Sequence, residues 1–235
     1  MKKILTLIIT CFLSLSLVGC SNSKNNDDIL TFFDALGNTL NLKSAQISGT
    51  LDMKDSKMNI DAQILQKDEL QVSSSIGLVA GKNVQNNFLN FYIKDGKTYL
   101  NSMGTKTQST VDKIGLKKNS KLNTYNPFLD LTDAQLCELF DSSKKENDTY
   151  TFKVNTSKLA TLLDNMGSIK LEDATLVATI KNEKISHMIL SFTGTQTVDD
   201  ASANIDVSIE LSIKKLNKIN FPNDLDNYKN ETAED

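Results

Sequence analysis

Arginine is absent from this chain, and all 26 basic residues are lysine. Bidentate capture of phosphate or carboxylate by a guanidinium fork is therefore excluded. Tryptophan is absent too, and proline occurs only at Pro127 and Pro222, which excludes a proline-rich stalk. The single histidine, His187, lies between Ser186 and Met188 in a strand-like run, and spacing assembles no Ser-His-Asp set around it. Cysteine occurs three times. Cys11 lies in an apolar leader, Cys20 closes that leader, and only Cys137 follows, so no intramolecular disulfide framework can hold the fold together. One histidine and one free cysteine cannot build a zinc site. Cys137 stands among Leu136, Leu139 and Phe140 with no flanking cation, which is the setting of an inert thiol.

Other chemistry is missing as well. Asp224 and Asp226 faintly suggest a calcium loop, but the glycine for its turn and the closing glutamate are lacking. Gly96-Lys97-Thr98 has the ending of a phosphate-binding loop, yet Phe91 stands where the first glycine belongs. The remaining carboxylates are scattered, and no pair stands out for glycoside cleavage. The formal net charge is -3, and removing Lys2 and Lys3 with the leader takes it to -5. A mildly acidic chain does not suit nucleic acid, which requires a basic face. The expectation is a protein with no cofactor, no metal and no enzymatic activity.

What is present begins at the amino terminus. Met1-Lys2-Lys3 is a short positive segment, and Ile4 to Val18 is an uncharged apolar run. That run is shorter than the roughly 20 residues a spanning helix needs, so it reads as a signal peptide. It ends in Leu17-Val18-Gly19-Cys20, which resembles the lipobox of bacterial lipoproteins. The resemblance implies that the Cys20 thiol receives a diacylglyceryl group and that residues 1–19 are removed. Ser21 to Asp28 contains no apolar residue and reads as a solvated tether, giving residues 20–28 as lipidated cysteine and linker.

The full chain is 39% apolar and 23% charged, enough for a packed core. Ile29, Leu30, Phe32, Phe33, Leu36 and Leu40 recur at helical spacing and predict an amphipathic helix through Leu42. Period-two alternation then predicts strands around residues 47–53, 58–64 and 70–78. Phe88 to Leu100 predicts a hairpin turning at Asp95-Gly96, which would pair Tyr92 with Tyr99 and Phe91 with Leu100. Lys106 to Lys121 reads as a weak strand or a loop. Thr132 with Gln135 predicts a capping box opening a short helix to about Asp141. Tyr150, Phe152 and Val154 predict a strand, and Asn155 or Thr156 caps a second short helix through Leu159, Leu162 and Leu163, ending at Gly167. Strands 174–181 and 184–192 flank a second candidate turn, Asn182-Glu183, and the alternation from Ala203 to Ile213 gives one more. Residues 229–235 read as a polar tail. The fold class expected is α+β: a curved antiparallel sheet with helices on its concave face, in one domain over residues 29–228.

The lipobox at Cys20, a helix followed by many antiparallel strands, the Asp95-Gly96 hairpin with Tyr99, and the Phe221-Pro222…Leu225…Tyr228 ending together resemble Gram-positive lipoproteins of the LolA/LppX-like superfamily. The resemblance implies a half-open β-barrel closed by helices, with an apolar cavity between them. It also implies anchoring at the outer face of the cytoplasmic membrane and a lipid or other apolar ligand. No invariant functional residue of that superfamily can be matched here. The candidate cavity residues are Phe32, Phe33 and Leu36 from the helix, with Leu89, Phe91, Ile93 and Leu100 from the hairpin. The alternative is an adaptor that binds another envelope protein and has no ligand cavity.

Overall fold

Alternating sequence becomes antiparallel strand almost wherever it was expected. The computed structural model describes residues 26–126, 128–158, 168–198 and 201–230. The expected signal peptide, the lipobox residues Leu17, Val18 and Gly19, and Cys20 lie outside the described residues, as do Pro127 and the expected helix from Leu159 to Gly167. Among the described residues twelve strands, β1 (Ser44–Met53), β2 (Ser56–Gln66), β3 (Leu70–Ala80), β4 (Asn83–Lys94), β5 (Lys97–Ser102), β6 (Thr105–Thr110), β7 (Phe140–Glu146), β8 (Thr149–Val154), β9 (Ser168–Lys181), β10 (Lys184–Val198), β11 (Ala201–Lys214) and β12 (Lys229–Asn230), form one hydrogen-bonded order, β12-β6-β5-β4-β3-β2-β1-β11-β10-β9-β8-β7. The order has two ends, so the sheet is unclosed, as a half-open barrel requires. β12 pairs in parallel with β6. With strands predominating over helices, the α+β class expected from the sequence is the one found.

The chain divides into two compact units, residues 1–40 with 125–210, and residues 41–124 with 211–235. In the first, helix α1 (Asn26–Leu40) packs on the strands β7 (Phe140–Glu146), β8 (Thr149–Val154), β9 (Ser168–Lys181) and β10 (Lys184–Val198). Asp27 and Asp28 occupy the first turn of α1, where carboxylates suit the positive end of the helix dipole. The helix therefore starts inside the segment expected to be tether. Its inner side carries Ile29, Phe32, Phe33 and Ala35, all buried. Thr39 fixes the other end: its Oγ1 donates to Ala35 O at 2.7 Å and accepts from Ile185 N at 2.9 Å. The capping box at Thr132 and Gln135 is present, but helix α2 spans only Asp133–Cys137. The chain turns at Leu139 and enters β7, a strand the sequence did not announce, because Asp141 to Glu146 is polar throughout. Asn155 caps as expected, its Oδ1 accepting from Lys158 N at 3.2 Å.

The second unit contains β1 (Ser44–Met53), β2 (Ser56–Gln66), β3 (Leu70–Ala80), β4 (Asn83–Lys94), β5 (Lys97–Ser102) and β6 (Thr105–Thr110). Its carboxyl-terminal part adds β12 (Lys229–Asn230), within the residues expected to be tail. Strand β11 (Ala201–Lys214) carries the chain from the first unit into the second. Asp95 and Gly96 turn with φ of 54° and 75°, the left-handed pair a type I′ turn demands. The register follows from it, with Tyr92 opposite Tyr99 and Phe91 opposite Leu100. Asn182 and Glu183 do the same at 50° and 59°, joining β9 to β10.

Candidate functional site

The ladder of the second unit sorts its side chains onto two faces of opposite character. Residues directly paired across strands share a face. Ile60 lies opposite Ile76, Ile64 opposite Val72, Ile76 opposite Leu89, and Phe91 opposite Leu100, so all belong to one apolar face. The other face carries Gln46, Gln63, Ser73, Tyr92, Tyr99 and Gln108, again in register.

The carboxyl-terminal segment lies across the polar face and meets all six of its strands. Ser44 Oγ donates to Leu216 O at 2.6 Å, above β1. Asn220 N donates to Gln63 Oε1 at 3.1 Å above β2, and Ser73 Oγ donates to Asn220 O at 3.2 Å above β3. Phe221, Leu225 and Tyr228 then pack on Tyr92 and Tyr99 of the hairpin. Tyr228 meets both rings edge-on, at 6.4 Å and 5.6 Å. Gln108 Nε2 donates to Tyr228 O at 2.9 Å, and Lys106 Nζ bonds the Asp224 carboxylate at 2.5 Å. That ammonium also sits 5.7 Å from the centre of the Tyr228 ring. Burial, then Tyr92 and Asp224, pushes the Tyr228 phenol up to about 12. The Lys106 hydrogen bond holds the Asp224 carboxyl below its ordinary range. Asp224 is thus an ion-pair partner in this strap.

At one end the apolar face is covered by residues of the same unit. Ile93 and Leu70 are buried there under Val111, with Ile64, Val72, Phe91 and Leu116 packed around them. Val111 belongs to a 3-10 turn over Val111–Ile114 that follows β6. The chain from that turn crosses back to the start of β3, where Leu70 N donates to Lys118 O at 2.8 Å. Farther along the face, Ile47, Ile60, Leu78, Phe91 and Leu100 stay half-buried.

At the covered end a polar groove of about 550 Å³ opens beside the buried cluster. Its floor is Gln66, which is 5% exposed and lies opposite Leu70. Gln66 Nε2 donates to Leu42 O at 2.6 Å, and its Oε1 accepts from Leu122 N at 2.8 Å. Lys121 Nζ donates to Gln66 O at 2.8 Å and also to Lys67 O. One glutamine and one lysine thus knit three loops together, and Lys43, Lys67 and Asp68 line the groove above them. No spacing in the sequence brings these residues together, so sequence reasoning missed the groove. The one local signal was the lysine density itself.

The candidate cavity residues fall into two sets. Phe32 and Phe33 belong to the first unit, where they meet Phe128, Phe140 and Phe152 at ring separations of 5.0 to 6.0 Å. These rings fill a core, and Leu36 lies half-buried one turn farther along α1. In the second unit, Leu89 and Ile93 are buried, while Phe91 and Leu100 are partly open. Elsewhere, His187 Nε2 lies 2.9 Å from Glu210 Oε1 between neighbouring strands of the first unit. Cys137 is half-buried, and burial, aided by Asp133 and Asp27, pushes its thiol up and away from the reactive thiolate. Among the described residues no cluster of three or more histidine, cysteine, aspartate or glutamate side chains could hold a metal ion. No helix among them is long and apolar enough to cross a membrane.

The fold and the site together define an α+β protein with an unclosed antiparallel sheet, whose second unit presents one strapped polar face and one partly open apolar face. No protein-family model matches the chain, and no curated protein matches it. Among solved structures the chain is similar to LprF from Mycobacterium bovis, known from its crystal structure. The two are 12% identical, the likeness covers 87% of this chain and 99% of that one, and the TM-score is 0.44.

Proposed function

We propose that this protein is a lipoprotein, anchored through Cys20 at the outer face of a Gram-positive cytoplasmic membrane, that binds the acyl chain of a lipid on the apolar face of its second unit. The observation that carries this reading is the half-buried state of Ile47, Ile60, Leu78, Phe91 and Leu100 on one continuous face. Fully burying a large aliphatic or aromatic side chain is worth about 1.5–3 kcal/mol. Part of that remains unrealised at each of these residues, and an acyl chain laid along the face would recover it at about 0.8 kcal/mol per methylene. The protein does no chemistry in this reading; it holds and presents its ligand. The lipobox at Leu17-Val18-Gly19-Cys20 supports the anchoring, since two acyl chains are enough for durable attachment.

Native mass spectrometry of the full chain, purified without added lipid, tests the binding. Bound acyl species, displaced by a fluorescent fatty-acid probe, are the expected result. A protein that arrives empty and binds no probe refutes it and leaves an envelope adaptor as the better reading. Metabolic labelling with palmitate tests the anchor separately: label should enter the native chain and not the Cys20→Ser variant.

A further inference from the structure

We infer that the ligand is an anionic amphiphile, with its acyl chain on the apolar face and its negatively charged head in the groove lined by Lys43, Lys67 and Lys121. This deepens the apolar-ligand reading above and rests on it. Three observations point the same way. First, the groove adjoins the apolar face. Gln66, the groove floor, pairs with Leu70, which is buried with Ile93 and Val111 and abuts Ile64 and Phe91. Phe91 packs on one side of that cluster and Gln66 pairs on the other, so an amphiphile spanning it would have its tail on Phe91 and its head at Gln66. Second, the charge is complementary. Three ammonium groups and a single carboxylate, Asp68, line the groove, so it is cationic within a chain of net charge -3. Third, the groove is prebuilt. The Gln66 amide is spent on Leu42 and Leu122, and the Lys121 ammonium on the Gln66 and Lys67 carbonyls. Lys43 and Lys67 reach it from strand ends fixed by that network, since Gln66 N also donates to Lys43 O at 2.9 Å. A site whose frame is already ordered loses little entropy when a head group enters. Lysine is a point-charge donor to a phosphate or carboxylate, so the head is recognised by its charge and not by a fork geometry.

Two photoactivatable lysophospholipids test this, identical in their diazirine-bearing acyl chain and differing in head: phosphoglycerol, which is anionic, and phosphocholine, which is zwitterionic. Each is offered to the full chain in phosphatidylcholine nanodiscs, and crosslinked peptides are mapped by mass spectrometry. The anionic probe should label peptides from residues 58–102 about tenfold more than the zwitterionic probe, as a head group held by charge-assisted contacts would. The double variant Lys43→Gln, Lys67→Gln should bring the two probes within about twofold of each other, while Lys43→Arg, Lys67→Arg keeps the preference. Equal labelling by both probes in the native chain overturns the head-group inference and leaves the apolar reading standing. A preference that survives the double glutamine variant overturns it as well, because the charge then lies elsewhere. Absence of labelling on residues 58–102 by either probe overturns the apolar-ligand reading itself. A thermal melt of each variant confirms that it is folded; both lysines are exposed, so the native midpoint is expected.

Discussion

Alkali should release the carboxyl-terminal strap, and the residue that sets the pH is Tyr228. Tyr228 is 4% exposed, and its ring lies edge-on to Tyr92 and Tyr99 and near the Asp224 carboxylate. Burial is the largest cause of its rise from 10.0 to about 12, because the phenolate would have to form out of water. A folded-state value above the unfolded one means that the folded protein keeps a proton the unfolded chain gives up. The corresponding stability is fully present below pH 10 and is lost as pH rises from there through about 12. At about 1.4 kcal/mol per pH unit, the loss over those two units is roughly 2–3 kcal/mol. The variant Tyr228→Phe removes the ionisation and keeps the ring. Denaturant unfolding of both proteins at steps between about pH 9 and pH 12.5 should give stabilities that diverge only above pH 10, with the native chain losing more. Lysine deprotonation in the same window acts on both proteins alike, so the difference belongs to the phenol. Absorbance of tyrosinate near 295 nm gives an independent reading, since the native-minus-variant curve should rise near pH 12. A difference curve rising near pH 10, or equal losses in the two proteins, would show that the strap does not bury Tyr228.

Two further outcomes follow from packing in the first unit. Phe152 is fully buried, with rings of Phe32 and Phe140 at 5.3 Å and 4.8 Å, so Phe152→Ala should cost about 3–5 kcal/mol in denaturant unfolding; a loss below about 1 kcal/mol would mean that this core is loosely packed. Gly194 follows a register shift between β10 and β9, and a Cβ there would meet Lys170 O. Gly194→Ala should therefore destabilise by about 1–3 kcal/mol, read as a lowered thermal midpoint, and an unchanged midpoint would place the two strands farther apart than described.

Most of the strand architecture was legible because each strand has one wet side. Alternation at residues 47–53, 58–64, 70–78 and 203–213 marked the strands, and Asp95-Gly96 marked its turn. Asn182-Glu183 turns through the same left-handed region without a glycine, and its flanking strands, more than its own residues, announced it. Strand β7 was not legible. Lys144 and Lys145 point to solvent on a strand paired with β8 alone, so no alternating apolar pattern could form, and charge there guards a free edge. Helix α2 was overestimated because Leu139 and Phe140 continue a helical spacing, whereas both are buried where the chain turns into the sheet. The groove was illegible for a different reason. Its residues come from positions 41, 43, 66–68, 121 and 123, and the pairing of β1 with β2 and the return of the chain after Val111 bring them together.

The placement of the strap bears directly on what the apolar face is for. A one-faced strand announces which side wants cover, and a chain with residues to spare would ordinarily lay them there. In this unit the segment from Leu216 to Tyr228 lies on the polar side instead, where hydrogen bonds to Ser44, Gln63, Ser73 and Gln108 replace those lost to water. That choice gains little apolar burial beyond the tyrosine cluster. It does fix the relative positions of β1 to β6 from behind, without touching the side that carries Ile60, Leu78, Phe91 and Leu100. A sheet braced on its wet side can hold its shape while its apolar side is alternately covered and uncovered. A protein that only needed a filled core would gain more by placing Leu225 and Phe221 on the opposite face. Under the proposed function, that bracing suits a reusable binding surface, with the half-buried residues as its working face.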